Sequence, residues 1–118
     1  MVTVAQVREL ALGLPDAAEQ DHHGIPSFRV RGKIFATLPD ADHLRVMAAQ
    51  GEILAAVAEA PAACSEFWWG SRLACVVVDL QQVEPVLLGE LVLDAWRRKA
   101  PRRLVTDLDA AGPAARRR

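Results

Sequence analysis

Asp21, His22 and His23, with His43 further along, are the residues of this sequence whose types suit zinc or iron best, since imidazole nitrogen and carboxylate oxygen are ligands those ions accept. Their spacing argues against it. Adjacent residues in an extended segment point to opposite faces, and the sequence has neither an HxxxH nor an HxH pair. The stretch reads as a polar lead-in to a hairpin, with no metal and no cofactor expected. Nucleophilic catalysis has as little support, because Ser27, Ser65, Ser71, Cys64 and Cys75 lie in no GxSxG elbow or known cysteine-enzyme context. Asp40 and Asp42 fall in a turn, and no phosphate-cradling glycine loop is present. The residues therefore point to a protein that is not an enzyme.

Phosphate contact is the chemistry that the remaining side chains allow. Arg29, Arg31 and Lys33 flank a tight Arg31-Gly32 turn, where they could reach a phosphate backbone as a wing does, although strands also use such charges to block edge pairing. Trp68, Trp69 and Arg72 flank a second turn, where an indole could stack on an unpaired base or fill the core. Because neighbours on a strand face opposite ways, one indole is expected inside and one outside. Arg97, Arg98, Lys99, Arg102 and Arg103 place five cations within seven residues, expected at the C-terminal pole of the last helix, which they suit.

Charge supports that reading only locally. Residues 1–94 hold 6 Lys/Arg against 13 Asp/Glu, and residues 95–118 hold 8 against 2, so a body of −7 carries a tail of +6. An evenly basic nucleic-acid binder is excluded. The basic end must meet either phosphate or an acidic protein surface.

The elements that hold these groups follow from periodicity. A capping box of Thr3 and Gln6 opens a helix over 3–13, GEILAAVAEA makes a second over 51–60, and Pro85 starts a third that runs to residue 100 with Leu88, Leu91 and Val92 on its apolar stripe. Period-two patterns place hairpins over 27–38 and 64–80, with a short strand through Leu44, Val46 and Ala48. The core should include Ile34, Leu54, Val57, Val77, Leu88, Leu91 and Val92. Residues 105–118 lack bulk and should fray, leaving one domain over 1–104. The order α-β-β-β-α-β-β-α predicts an α+β two-layer sandwich, one antiparallel sheet covered by helices on one face. The N-terminus lacks a signal h-region and no apolar run could span a membrane, so a cytoplasmic protein with two reduced cysteines is expected.

Three stretches in this order, ALGLPDAAEQDHHGIPSFRVRGKIFATL, VVVDL and LVLDAWRRKAPRRL, resemble the MmcQ/YjbR family. The resemblance implies a small cytoplasmic bacterial domain with a frataxin-like or secretion-chaperone-like layout and a DNA-binding role. Weak, sequence-independent binding of DNA or another nucleic acid is thus the leading expectation. The alternative is a protein-interaction module that uses the exposed sheet face.

Overall fold

The Thr3 hydroxyl accepts the Gln6 backbone N–H at 3.1 Å while the Gln6 side chain accepts the Thr3 N–H at 2.9 Å, closing the capping box that starts α1 (Val4–Leu12). Beyond it the computed structural model, which describes residues 1–111, places β1 (Ala17–His22), β2 (Ile25–Val30), β3 (Lys33–Asp40) and β4 (His43–Val46) in succession. Then follow α2 (Gln50–Glu59), β5 (Cys64–Trp69), β6 (Arg72–Asp79), α3 (Pro85–Lys99) and α4 (Arg102–Ala111). The strands form a six-stranded antiparallel sheet in the order β1-β2-β3-β4-β6-β5. It is the α+β arrangement that the residue pattern predicts.

One face of the sheet carries the core. Phe28 and Val30 of β2, Ala36 of β3, Leu44 and Val46 of β4, and Val76 and Val78 of β6 are all fully buried there, in register with one another across the strands. The helices cover this face, with α1 against β1, α3 against β3 and β4, and α2 against β5 and β6. Leu88, Leu91, Val92, Ala95 and Trp96 of α3 supply its widest contribution. Ala49 caps α2 but has no side chain able to accept a hydrogen bond, and its N–H is taken instead by Asp94 Oδ2 of α3 at 2.9 Å. A carboxylate from one helix thereby holds the start of another.

Two expectations about the element order are corrected. The AAEQDH segment, expected to be a polar lead-in, is strand β1, joined to β2 by a turn in which His23 and Gly24 both have positive φ. An edge strand with polar residues on both faces lacks the alternation that marks a strand in sequence. The segment expected to fray from residue 105 is helical to Ala111, because after the extended Ala100 the Pro101 carbonyl accepts the N–H groups of Leu104 and Val105 and starts a new helix whose Leu108 is buried. The last seven residues, with Arg116 to Arg118, lie outside the described residues.

The expected core is right for Leu88, Leu91 and Val92 and wrong in part elsewhere. A bulge in β3 makes Phe35 an extra residue opposite Phe28 and Arg29, so Phe35 and Ala36 both turn inward and Ile34 moves to the helix-free face. Val77 also lies on that face, half-buried between Ser65 and Arg45. On α2 the buried stripe is Ile53 and Ala56 with Val57 at its margin, which leaves Leu54 49% exposed.

Candidate nucleic-acid interface

Two hairpin turns and one helix end lie at the same end of the sheet. The β2–β3 turn places Lys33 opposite Val30, Val46 is opposite Val76, and the β5–β6 turn places Trp69 opposite Arg72, so Lys33 and Arg72 sit at the end of the sheet that α3 reaches with its C-terminus. Arg31 and Gly32 both adopt positive φ, and Gly70 does so in the second turn, which matches the twist of two-residue hairpins. The ammonium of Lys99 feels this gathering: burial first, then Arg98, Arg72 and Lys33, push its pKa below the ordinary lysine value. Residues distant in sequence thus form one cationic cluster.

Not every cation predicted for this role is free to serve it. Arg31 donates to Asp16 at 2.6 Å, and Arg97 is held by Asp109, with Nη1 to Oδ2 at 3.1 Å. Arg98 donates through Nη1 to the carbonyls of Met47 and Ala48 at 2.7 and 2.8 Å, fastening α3 to the end of β4. Arg29 donates to the Ser27 hydroxyl at 3.0 Å and lies 3.4 Å from His22 Nδ1. Among the described residues Lys33, Arg72, Lys99, Arg102 and Arg103 make no ion pair. Arg102 and Arg103 open α4 instead of closing the previous helix, so they add to the positive pole of a helix dipole and do not compensate a negative one.

Both neighbouring indoles are outside, against the expectation of one in and one out. Trp68 is 50% exposed and Trp69 73% exposed. They do point to opposite faces, but β5 is the edge strand and its pairing with β6 slips by one residue between Phe67 and Trp68, so Trp68 overhangs the helix-covered side without entering the core. Its indole donates to Glu66 at 2.8 Å.

The opposite end of the sheet is acidic. Asp40 and His43 pair across the β3–β4 turn with Nδ1 to Oδ1 at 2.9 Å, and Asp79 lies opposite His43 on β6. The bond from Asp40 raises the His43 pKa, with Asp79 and Asp42 adding to it, and the same bond lowers that of Asp40. Glu59, Glu84 and Glu90 border a shallow cavity between α2 and α3. The charge division that reads in sequence as acidic body and basic tail is, in space, a division between regions of one domain.

The remaining predicted chemistry is arranged differently. His22 and His23 do not diverge, because His23 sits in the turn at φ 53° and its ring meets that of His22 edge-on at 4.5 Å between centroids. Among the described residues no three His, Cys, Asp or Glu side chains are placed to hold a metal ion. The Ser27 hydroxyl donates to the Gln20 carbonyl at 2.8 Å, and burial pushes both cysteine thiols up in pKa. Sequence reasoning passed over Arg45 and Phe67, neighbours on the helix-free face with the guanidinium carbon 5.2 Å from the ring centroid. The alternation in HLRV, with Leu44 and Val46 inward, is the signal that turns Arg45 to that face.

A six-stranded antiparallel sheet, a four-strand meander joined through β4 to the β6–β5 hairpin, with helices on one face and a helix-free face opposite, defines a small α+β domain built around two exposed hairpins. The YjbR family model matches residues 12–98, and the chain belongs to the YjbR family. Its fold is similar to the crystal structure of Deinococcus radiodurans protein DR2400, which carries the domain DUF419, with a TM-score of 0.70 at 20% identity over 99% of this chain and 87% of that one. No curated relative matches. No helix among the described residues is long and apolar enough to cross a membrane.

Proposed function

We propose that this chain is a non-enzymatic cytoplasmic binding protein whose basic sheet end contacts nucleic acid weakly and without sequence selection. The observation that carries the reading is the placement of Lys33, Arg72 and Lys99, none of them in an ion pair among the described residues, at one end of the sheet beside two exposed indoles on the edge strand. Cations that follow a phosphate backbone next to aromatic faces suit single strands, whose bases are free to stack. Contacts from such cations go to the phosphate backbone, which carries no base sequence, so selectivity is low. The acidic end keeps affinity low by repelling any longer stretch of polyanion.

A salt-titrated binding assay against single-stranded DNA, duplex DNA and RNA tests this. Binding is expected to weaken steeply with salt, to favour single strands, and to lose about 0.7 from the salt slope for each phosphate contact removed by Lys33→Ala, Arg72→Ala or Lys99→Ala. No binding even at low salt would end the nucleic-acid reading. The helix-free face, which presents Ile25, Ile34, Phe67 and Trp69, would then favour a protein partner.

A further inference from the structure

The helix-free face holds a groove of about 270 Å³ across the sheet, bordered by His22 of β1 and Ile25 of β2 at one side and by β5 and β6 at the other. Thr37 lies deep in it, Ile34, Phe67 and Trp69 form apolar walls, and Arg45 and Arg72 bring positive charge. No carboxylate lines it. Neither arginine makes an ion pair among the described residues. The Arg45 guanidinium lies over the Phe67 ring, which orients it without neutralising it.

Thr37 supplies a second, independent observation. It is 4% exposed, and its Oγ1 is buried with no hydrogen-bond partner in the protein. Its cross-strand neighbours are turned to other partners, Ser27 to Gln20 and Arg29, and Arg45 to the Phe67 ring. A buried hydroxyl left unpaired is disfavoured unless something else completes it. An acceptor oxygen entering the groove beside Thr37 would do so.

We propose that this groove binds a small organic anion, with a flat apolar body against Ile34, Phe67 and Trp69, its carboxylate or phosphate held by Arg45 and Arg72, and one acceptor oxygen receiving the Thr37 hydroxyl. The volume sits just below the ~300–1,000 Å³ usual for small-molecule sites, which favours a ligand with one ring system. The groove shares Arg72 and Trp69 with the nucleic-acid reading but not Lys33 or Lys99, so the variants that test it fall at Thr37 and Arg45, outside that reading.

Titration of the full chain, followed by backbone amide NMR, tests the proposal with benzoate and adenosine monophosphate as probes and with benzamide and inorganic phosphate as controls. Saturable shifts at Ile34, Thr37, Arg45 and Phe67 with either probe uphold the site, and the tighter probe tells which anion it prefers. The neutral amide and bare phosphate should each bind roughly tenfold more weakly or worse. Thr37→Val, which keeps the side-chain shape, and Arg45→Gln should each weaken the probe by a similar factor while the amide spectrum elsewhere is unchanged. Binding of single strands should persist in both variants, which separates failure of this site from failure of the nucleic-acid reading. The proposal is overturned if neither probe gives saturable shifts, or if both variants bind the probe as the unaltered chain does.

Discussion

The indole nitrogen of Trp96 donates to the carbonyl oxygen of Pro15 at 3.0 Å, joining a fully buried side chain in the last turn of α3 to the turn that leads from α1 into β1. Eighty-one residues separate the two in sequence. The bond fixes the edge of the sheet against the last long helix, and it answers the polar end of the largest core side chain.

Trp96→Phe keeps most of that apolar contact but removes the donor and leaves the Pro15 carbonyl without it. The expected loss is about 1–3 kcal/mol in denaturant unfolding, with the slope of the transition unchanged. A loss under a few tenths would mean that the carbonyl finds water.

Asp94→Ala removes the acceptor that stands in for a capping side chain at the start of α2, together with a negative charge near that helix's positive pole. A destabilisation of about 0.5–2 kcal/mol is expected, with the first turn of α2 losing hydrogen-exchange protection before the rest of the helix.

Thr37→Val should behave in the opposite way. Removing a buried hydroxyl that has no partner in the protein should leave stability unchanged or raise it by about 1 kcal/mol in the same assay. A clear destabilisation would show that the hydroxyl is paired.

The imidazole of His43 should titrate above its ordinary value of 6.5, because its charged form is bonded to Asp40. The pair's contribution to stability is therefore fully present between 3.8 and 6.5 and lost as pH rises through the raised His43 value. At the acid side it is lost as pH falls through the Asp40 value, which lies below 3.8. NMR titration of the His43 ring checks this, and Asp40→Asn should bring the midpoint back toward 6.5.

Arg31→Ala and Arg97→Ala should weaken nucleic-acid binding less than Lys33→Ala or Arg72→Ala, since Asp16 and Asp109 already occupy the first two guanidinium groups. Fluorescence titrations at one low salt concentration make the comparison. Equal losses from all four variants would show that the two ion pairs open on binding.

The fold was legible wherever burial imposed a period. The α3 stripe, the Thr3 capping box and the Arg31-Gly32 turn each leave a local signature, and all three stand where residue type places them. Strand β1 was not legible, because Ala17–His22 has no buried side chain to impose alternation. Two of the misassigned strand positions trace to bulges: one extra residue at Phe35 turns Ile34 outward, and the slip beside Trp68 keeps that indole from the core, whereas Val77 is one of a run of apolar residues in which alternation cannot be read. Nothing local in a sequence announces a bulge. The candidate cations were legible as charges, but their pairing was not, since Asp16 and Asp109 meet their arginines only through the tertiary fold.

With a net charge of only −1, the protein exerts almost no net pull on a distant polyanion. Yet Lys33, Arg72 and Lys99 lie at one end of the sheet and Asp40, Asp42 and Asp79 at the other, which makes the molecule an electric dipole directed along its strands. In a non-uniform field such a body turns before it is drawn in, and beyond a Debye length of about 8 Å at physiological salt even that torque is screened. Encounter is therefore oriented at short range and slow to begin from afar, so ionic strength should act on the association rate mainly through the last few ångströms of approach.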